Sequence, residues 1–169
     1  MNVLKYNPNH HEQTFPYIEV YADKVSKKNE DQVNIGLVFE TDRNSNAHDD
    51  ESIDPGLLEN IFNDNHNVIC LDRYISNDTL PDYCSEVIDY SNLQELSKVI
   101  SKLDLIISVD HVVAHLAGAI GKKTFLLLHS SSDWRWGIDS EDTFWYPSIK
   151  LYRQKSKNNW HDVFEELLL

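Results

Sequence analysis

Between residues 110 and 136 the chain concentrates the residue types that carry chemistry. Asp110 and His111 close an apolar run, His115 follows His111 by one helical turn, and His129-Ser130-Ser131-Ser132-Asp133 leads into Trp134-Arg135-Trp136. Each group has competing uses. Asp110 can orient a hydroxylated ligand or serve as the N-cap of the following helix, a role Asp fills readily. His111 and His115 are spaced to ligate a metal from one helix face. No Glu completes an H-E-x-x-H pattern and no third ligand is indicated, so no metal is expected, and His115 reads better as a buried, hydrogen-bonded histidine. His129, the serines and Asp133 are the residue types of a hydrolase triad. Adjacent residues rarely reach triad geometry, however, and G-x-S-x-G is absent. Trp134, Trp136, Trp145 and Tyr146 either stack on a base or sugar ring or form an aromatic cluster under a long loop. Arg135 can pair with a phosphate, or with Asp133 or Asp139.

The elements that must position these residues follow from the hydrophobic pattern. Val33 to Phe39, Asn67 to Leu71, Glu86 to Ile88, Leu105 to Val109, Thr124 to Leu128 and Ile149 to Tyr152 read as strands. The run at Leu105 to Val109 is unbroken, as in strands buried on both faces of a parallel sheet. Helices are expected from Pro55 to Phe62 behind an Asp54 cap, and from Ser91 or Asn92 through Lys102. Two more are expected from His111 to Ile120, closed by Gly121, and from Asn159 to Leu168. Residues 1–32 read as an arm or short helix packed on a domain spanning 33–169. Glu40 to Asp54 is a long loop with six acids, a solvated face that lacks the order of an EF-hand.

Strands alternating with helices predict a Rossmann-like three-layer α/β/α domain with a mostly parallel sheet and right-handed crossovers. Ligands bind such sheets at the carboxyl ends of the strands, where the strand order reverses. In the order 3-2-1-4-5-6 that point lies between the first and fourth strands. This places Glu40 and Thr41 beside Asp110, His111 and Val112, with His129, Asp133, Trp134 and Arg135 entering from the fifth strand. The helix starting near Val112 offers free N–H groups and the positive end of its dipole, an anion site independent of net charge. G-x-G-x-x-G and G-x-x-x-x-G-K-[ST] are both absent. Lys122 and Lys123 fall at the start of the fifth strand, on the far edge of the sheet.

Composition bounds the partners. With 28 Asp and Glu against 15 Lys and Arg, the formal charge is −13, which argues against nucleic acid or an anionic membrane as the main partner. A phosphate-bearing ligand would have to be bound against that field. Cys70 and Cys84 make neither a disulfide framework nor a metal spacing, so a reducing cytoplasm is the default location. No signal peptide is read at the N-terminus, and no apolar run approaches the ~18 residues of a membrane span.

The string Leu103 to Gly121, Leu-Asp-Leu-Ile-Ile-Ser-Val-Asp-His-Val-Val-Ala-His-Leu-Ala-Gly-Ala-Ile-Gly, resembles the donor-side motif of heptosyltransferase-like glycosyltransferases. Asp133-Trp134-Arg135-Trp136, Trp145-Tyr146-Pro147-Ser148 and Leu151-Tyr152-Arg153-Gln154 extend the likeness to the C-terminal half of the variant fused behind tetratricopeptide repeats. The likeness covers Val33 to the C-terminus, with Phe15 to Tyr21 matching the segment just upstream. It implies one half of a GT-B fold, in which two Rossmann-like domains face each other across a cleft. This half would bind a nucleotide-diphospho-sugar and no other cofactor. Asp110, His111 and Val112 would lie at the donor sugar and phosphates, with His115 on the motif's histidine. The acceptor and the catalytic base would come from a partner chain supplying the N-terminal half, so the domain alone is expected to be inactive. Two departures stand out. His111 replaces the usual Thr or Ser after the motif Asp, and Phe39-Glu40-Thr41-Asp42-Arg43 replaces a Trp-small-Gly turn followed by basic residues. Carboxylates beside a diphosphate raise its binding cost. A second reading therefore stays open: a non-catalytic relative serving as an interaction or sugar-binding module.

Overall fold

The computed structural model describes residues 15–20, 31–41, 52–73 and 75–167. Six strands form one all-parallel sheet: β1 (Val33–Val38), β2 (His66–Cys70), β3 (Cys84–Val87), β4 (Leu105–Ser108), β5 (Thr124–Leu128) and β6 (Ile149–Arg153). Their order is β3-β2-β1-β4-β5-β6. The chain thus winds outward from β1 in both directions, and the reversal falls between β1 and β4, as the alternation of elements predicts.

The central strands are apolar because both of their faces are covered. Ile35, Leu37, Ile106, Ile107, Leu126 and Leu127 are all buried, and the registers Leu37↔Ile107 and Ile107↔Phe125 stack them in rows across the sheet. Helices α1 (Leu93–Lys102) and α2 (Val112–Ile120) pack together. Asn92 caps α1, its side chain accepting from Glu95 N–H. Gly121 ends α2 with φ 81°, a left-handed conformation that suits glycine. Lys122 Nζ donates to the carbonyls of Ser101 and Leu103, just before β4 begins. That contact holds it at the sheet edge opposite the crevice.

Several strand ends differ from the pattern-based expectation by one residue, and four elements differ in ways with a physical reason. Residues Pro55–Ile61 form a 3-10 helix rather than an α-helix. Asp54 caps it as expected, accepting from Gly56 N–H at 2.9 Å, but Leu58 is its one buried side chain, too little apolar surface to organise a longer helix. The third strand begins earlier, at Cys84, because its pairing shifts between Val68 and Ile69 and brings Cys84 into the ladder. The last helix, α3, spans only His161–Glu166, and the side chain of Asn159 accepts from His161 N–H just ahead of it. The helix after β4 starts one residue later than expected, as described below.

Residues 15–20 form no regular element and lie against the end of α2. Ile18 N–H donates to Ala119 O, and Phe15 and Pro16 border Gly121. Residues 1–14 and 21–30 of the expected arm, and the acidic loop from Asp42 to Glu51, lie outside the described residues.

Candidate functional site

The sheet's strand order brings three loop starts together. Val38 is aligned with Ser108 and Ser108 with Leu126. Phe39-Glu40-Thr41, Val109-Asp110-His111 and His129 therefore emerge side by side at the carboxyl edge.

The β1 corner is held by backbone ties. Val109 N–H donates to Val38 O at 3.1 Å, and Ile53 N–H to Phe39 O at 2.8 Å. Thr41 N–H donates to Ser52 Oγ at 3.0 Å, so the acidic loop leaves and re-enters at one point. Asp72, just after β2, accepts from Phe39 N–H at 3.1 Å and from Glu40 N–H at 3.3 Å. Its carboxyl is 2% exposed. Burial pushes its pKa up to about 7, against the two backbone bonds that pull it down, and the Glu40 charge adds to the rise.

Asp110 is the centre of the second corner. Its Oδ2 accepts from Trp136 Nε1 at 2.8 Å, and its Oδ1 lies 3.6 Å from His115 Nε2. Burial pushes this carboxyl up, but His115, the Trp136 N–H and the Arg135 charge outweigh it and hold the group below the usual carboxylate range. Asp110 therefore stays ionised, and both oxygens are engaged. It is not the helix N-cap. His111 takes that place with extended backbone (φ −149°, ψ 158°), its Nδ1 accepting from Val113 N–H at 3.3 Å.

His115 is sandwiched. Its ring stacks on Trp136 at 5.0 Å between centroids, and its Nδ1 lies 3.2 Å from the Tyr146 hydroxyl. With Asp110 ionised, the consistent tautomer carries the proton on Nε2 and accepts from Tyr146 O–H at Nδ1. Burial raises the Tyr146 hydroxyl above its ordinary value, so it remains a proton donor. The Tyr146 ring reaches this position because residue 118 is glycine: a Cβ there would stand 2.5 Å from Tyr146 Cγ.

The β5 loop is built from local caps. His129 Nδ1 accepts from Ser131 N–H at 3.2 Å, and Asp133 Oδ1 accepts from Arg135 N–H at 2.9 Å, capping a 3-10 turn over Trp134–Trp136. Ser132 Oγ accepts from Arg153 Nη1, while Arg153 Nη2 donates to Trp136 O at 3.0 Å. These are turn and anchoring bonds, so the triad reading finds no geometry here. Arg135 Nε lies 3.4 Å from Asp133 Oδ1, the carboxylate pairing among its alternatives. The aromatics divide between the two readings. Trp136 is buried in a cluster with Leu126, Leu128 and Leu151, whereas Trp134 is 75% exposed and Trp145 donates its Nε1–H to Arg135 O at 3.0 Å.

Of the expected site residues, the fold gathers Asp110, His111, Val112 and His115 with His129, Asp133, Trp134 and Arg135 on two adjacent loops, and sets Glu40 and Thr41 on the neighbouring strand end. No group of three metal-ligating side chains occurs among the described residues. Trp136 and Tyr146, read from the sequence as stacking or cluster aromatics, hold Asp110 and His115, while Asp72 and Arg153 anchor the corners from positions the sequence pattern did not assign. Asp72 carried one readable signal, a lone carboxylate directly after a buried strand. A roomier groove of about 590 Å³ lies between the 3-10 helix and α3, lined by Leu57, Ile61, Phe164 and Leu167 among others, away from these charges.

A parallel sheet of this order, with an ionised carboxylate and a helix N-terminus at its switch point, is a Rossmann-like α/β domain. The model of glycosyltransferase family 9 (heptosyltransferase) matches residues 65–162, more than half of the chain and all of the network around Asp110. The chain belongs to that family. No curated protein and no solved structure matches it. Among the described residues no helix is long and apolar enough to cross a membrane.

Proposed function

We propose that this domain is the donor side of a glycosyltransferase and binds a nucleotide-diphospho-sugar in the crevice between β1 and β4. The observation that carries the reading is the position of Asp110. It stands at the switch point beside the first turn of α2, within the stretch that matches the transferase family. In this reading the first turn of α2 and Arg135 face the phosphates, and Asp110, His129 and Asp133 face the sugar. The domain alone binds without transferring, and the acceptor and base come from a facing N-terminal GT-B half on a partner chain. Asp110 itself is a poor base, because its carboxylate is ionised below the usual range and committed to Trp136 and His115.

Calorimetry with ADP, UDP and GDP tests the proposal. Micromolar binding of one of them, weakened by Asp110→Asn, is the expected result. Asparagine keeps an oxygen for Trp136 Nε1 and removes the charge. Absence of binding by all three at millimolar concentration would overturn it.

One observation favours a second reading, that of a non-catalytic sugar-binding module. Glu40, Asp110 and Asp133 stand at the strand ends around the crevice, and carboxylates disfavour a diphosphate more than a neutral sugar. Binding of free hexoses with no binding of nucleotides would select it.

A further inference from the structure

On the β5 side of the crevice, Asp110, Leu127, Leu128, His129, Ser132 and Asp133 close around a niche of about 10 Å³. That is about the space one water or one hydroxyl occupies. His129 is nine-tenths buried. Its Nδ1 accepts from Ser131 N–H, so the neutral ring carries its proton on Nε2. This second N–H is buried and has no partner among the described residues. A buried donor left unpaired is unfavourable, and an acceptor set against it relieves that cost.

The rest of the lining decides what kind of acceptor fits. Asp110 and Asp133 contribute carboxylates, and Ser132 Oγ is held by Arg153. A phosphate or carboxylate would satisfy His129 but would press against both acids. An ammonium would suit the acids and leave the His129 N–H unpaired. A hydroxyl does both, accepting from one side and donating to the other.

We propose that this niche is a hydroxyl subsite, in which His129 Nε2–H donates to one sugar hydroxyl and a carboxylate of Asp110 or Asp133 accepts that hydroxyl's proton. The identity of the sugar as a donor sugar rests on the reading above; the hydroxyl selectivity does not. The subsite puts a sugar hydroxyl at the end of β5, deeper than Arg135, and makes His129 a specificity-determining residue.

The test is nitrogen-15 NMR of the His129 imidazole in the full chain, with methanol, formate and methylammonium as probes, alongside ADP and ADP-glucose. Methanol and ADP-glucose should shift the Nε2–H resonance and slow its exchange, while formate, methylammonium and ADP leave it in place. In His129→Phe, the ratio of ADP-glucose affinity to ADP affinity should fall roughly three- to tenfold, the scale of one hydrogen bond. A resonance unmoved by methanol, or moved as far by formate, overturns the subsite. Gln154 follows β6 one step past the Leu128↔Arg153 pair, its N–H donating to Leu128 O, and is buried with both side-chain amide atoms unpartnered among the described residues. A shift of the His129 signal in ligand-free Gln154→Leu would mean that this amide already serves the N–H, and would also overturn the proposal. A methanol response without nucleotide binding would overturn the nucleotide reading and leave the subsite standing. ADP and ADP-glucose binding with an unchanged affinity ratio in His129→Phe would do the reverse.

Discussion

The indole N–H of Trp136 donates to Asp110 Oδ2 at 2.8 Å, joining the loop after β5 to the end of β4 across 26 residues. Trp136 is 1% exposed, and its other face stacks on His115. One side chain thus fills the second hydrophobic cluster, shields His115 and occupies one oxygen of Asp110. The carboxylate at the switch point is oriented by the loop core before any ligand arrives.

Removing the N–H alone separates these roles. Trp136→Phe should keep most of the packing but leave Asp110 Oδ2 without its donor, at a cost of about 1–3 kcal/mol. The Asp110 carboxyl should then titrate higher. Trp136→Ala adds the cavity and should lose roughly 3–5 kcal/mol. Urea denaturation of the two variants, with carbon-13 NMR of the Asp110 carboxyl, checks both expectations.

Gly118 is held to zero side-chain volume by Tyr146. Gly118→Ala should push the Tyr146 ring off α2 and break its hydroxyl contact with His115 Nδ1, at a cost of roughly 1–3 kcal/mol for overpacking. A changed nitrogen-15 shift of the accepting His115 Nδ1, measured by NMR, would report the broken contact. An undisturbed Tyr146 resonance would contradict the packing argument.

The pH dependence of stability should carry the signature of Asp72. Its pKa rises from 3.8 in the unfolded chain to about 7 in the fold, so the folded state binds its proton more tightly. Stability from this group is complete below about pH 4 and is lost as pH climbs through 7. The loss is at most about 4 kcal/mol. Asp72→Asn should flatten that slope, and denaturation midpoints between pH 4 and 8 would show it. A slope unchanged in the variant would count against the assignment.

In the donor-domain reading proposed above Arg135 faces a phosphate, and its pairing with Asp133 is partly open to solvent. Such a pair adds at most about 1 kcal/mol to folding. Arg135→Gln should therefore leave the melting temperature nearly unchanged and weaken nucleoside diphosphate binding by roughly tenfold, the scale of one charge-assisted contact. Calorimetry at two salt concentrations would also show a shallower salt dependence in the variant.

Much of the fold was legible in the chain because its causes are local. Buried parallel strands need uninterrupted apolar runs, and Leu105 to Val109 and Thr124 to Leu128 show them. Asn92 and Gly121 mark helix ends by the hydrogen bonds and dihedral angles that their residue types permit. Strand order then followed from the alternation of strands and helices, and with it the place of the crevice. Where local signals were short of energy they misled. Pro55 and Asp54 announced a helix, but only Leu58 is buried there, and the segment stays a 3-10 turn.

The roles of the site residues were decided elsewhere. By sequence alone Asp110 was equally a ligand-orienting group or a helix cap, because both need only an Asp before a helix. The tertiary structure delivered Trp136 and His115 to its two oxygens and left the cap to His111. His115 likewise takes its two partners, Asp110 and Tyr146, from separate segments, whereas His129 and Arg135 are held by their own loop. Residue types and their periodicity determined that this is an acidic Rossmann-like domain whose strand order reverses near Asp110. Which carboxylate is ionised, which histidine nitrogen bears the proton and which N–H is left unpaired depended on burial and on partners far apart in the chain. Those are electrostatic and hydrogen-bonding quantities that exist only once the chain has closed on itself.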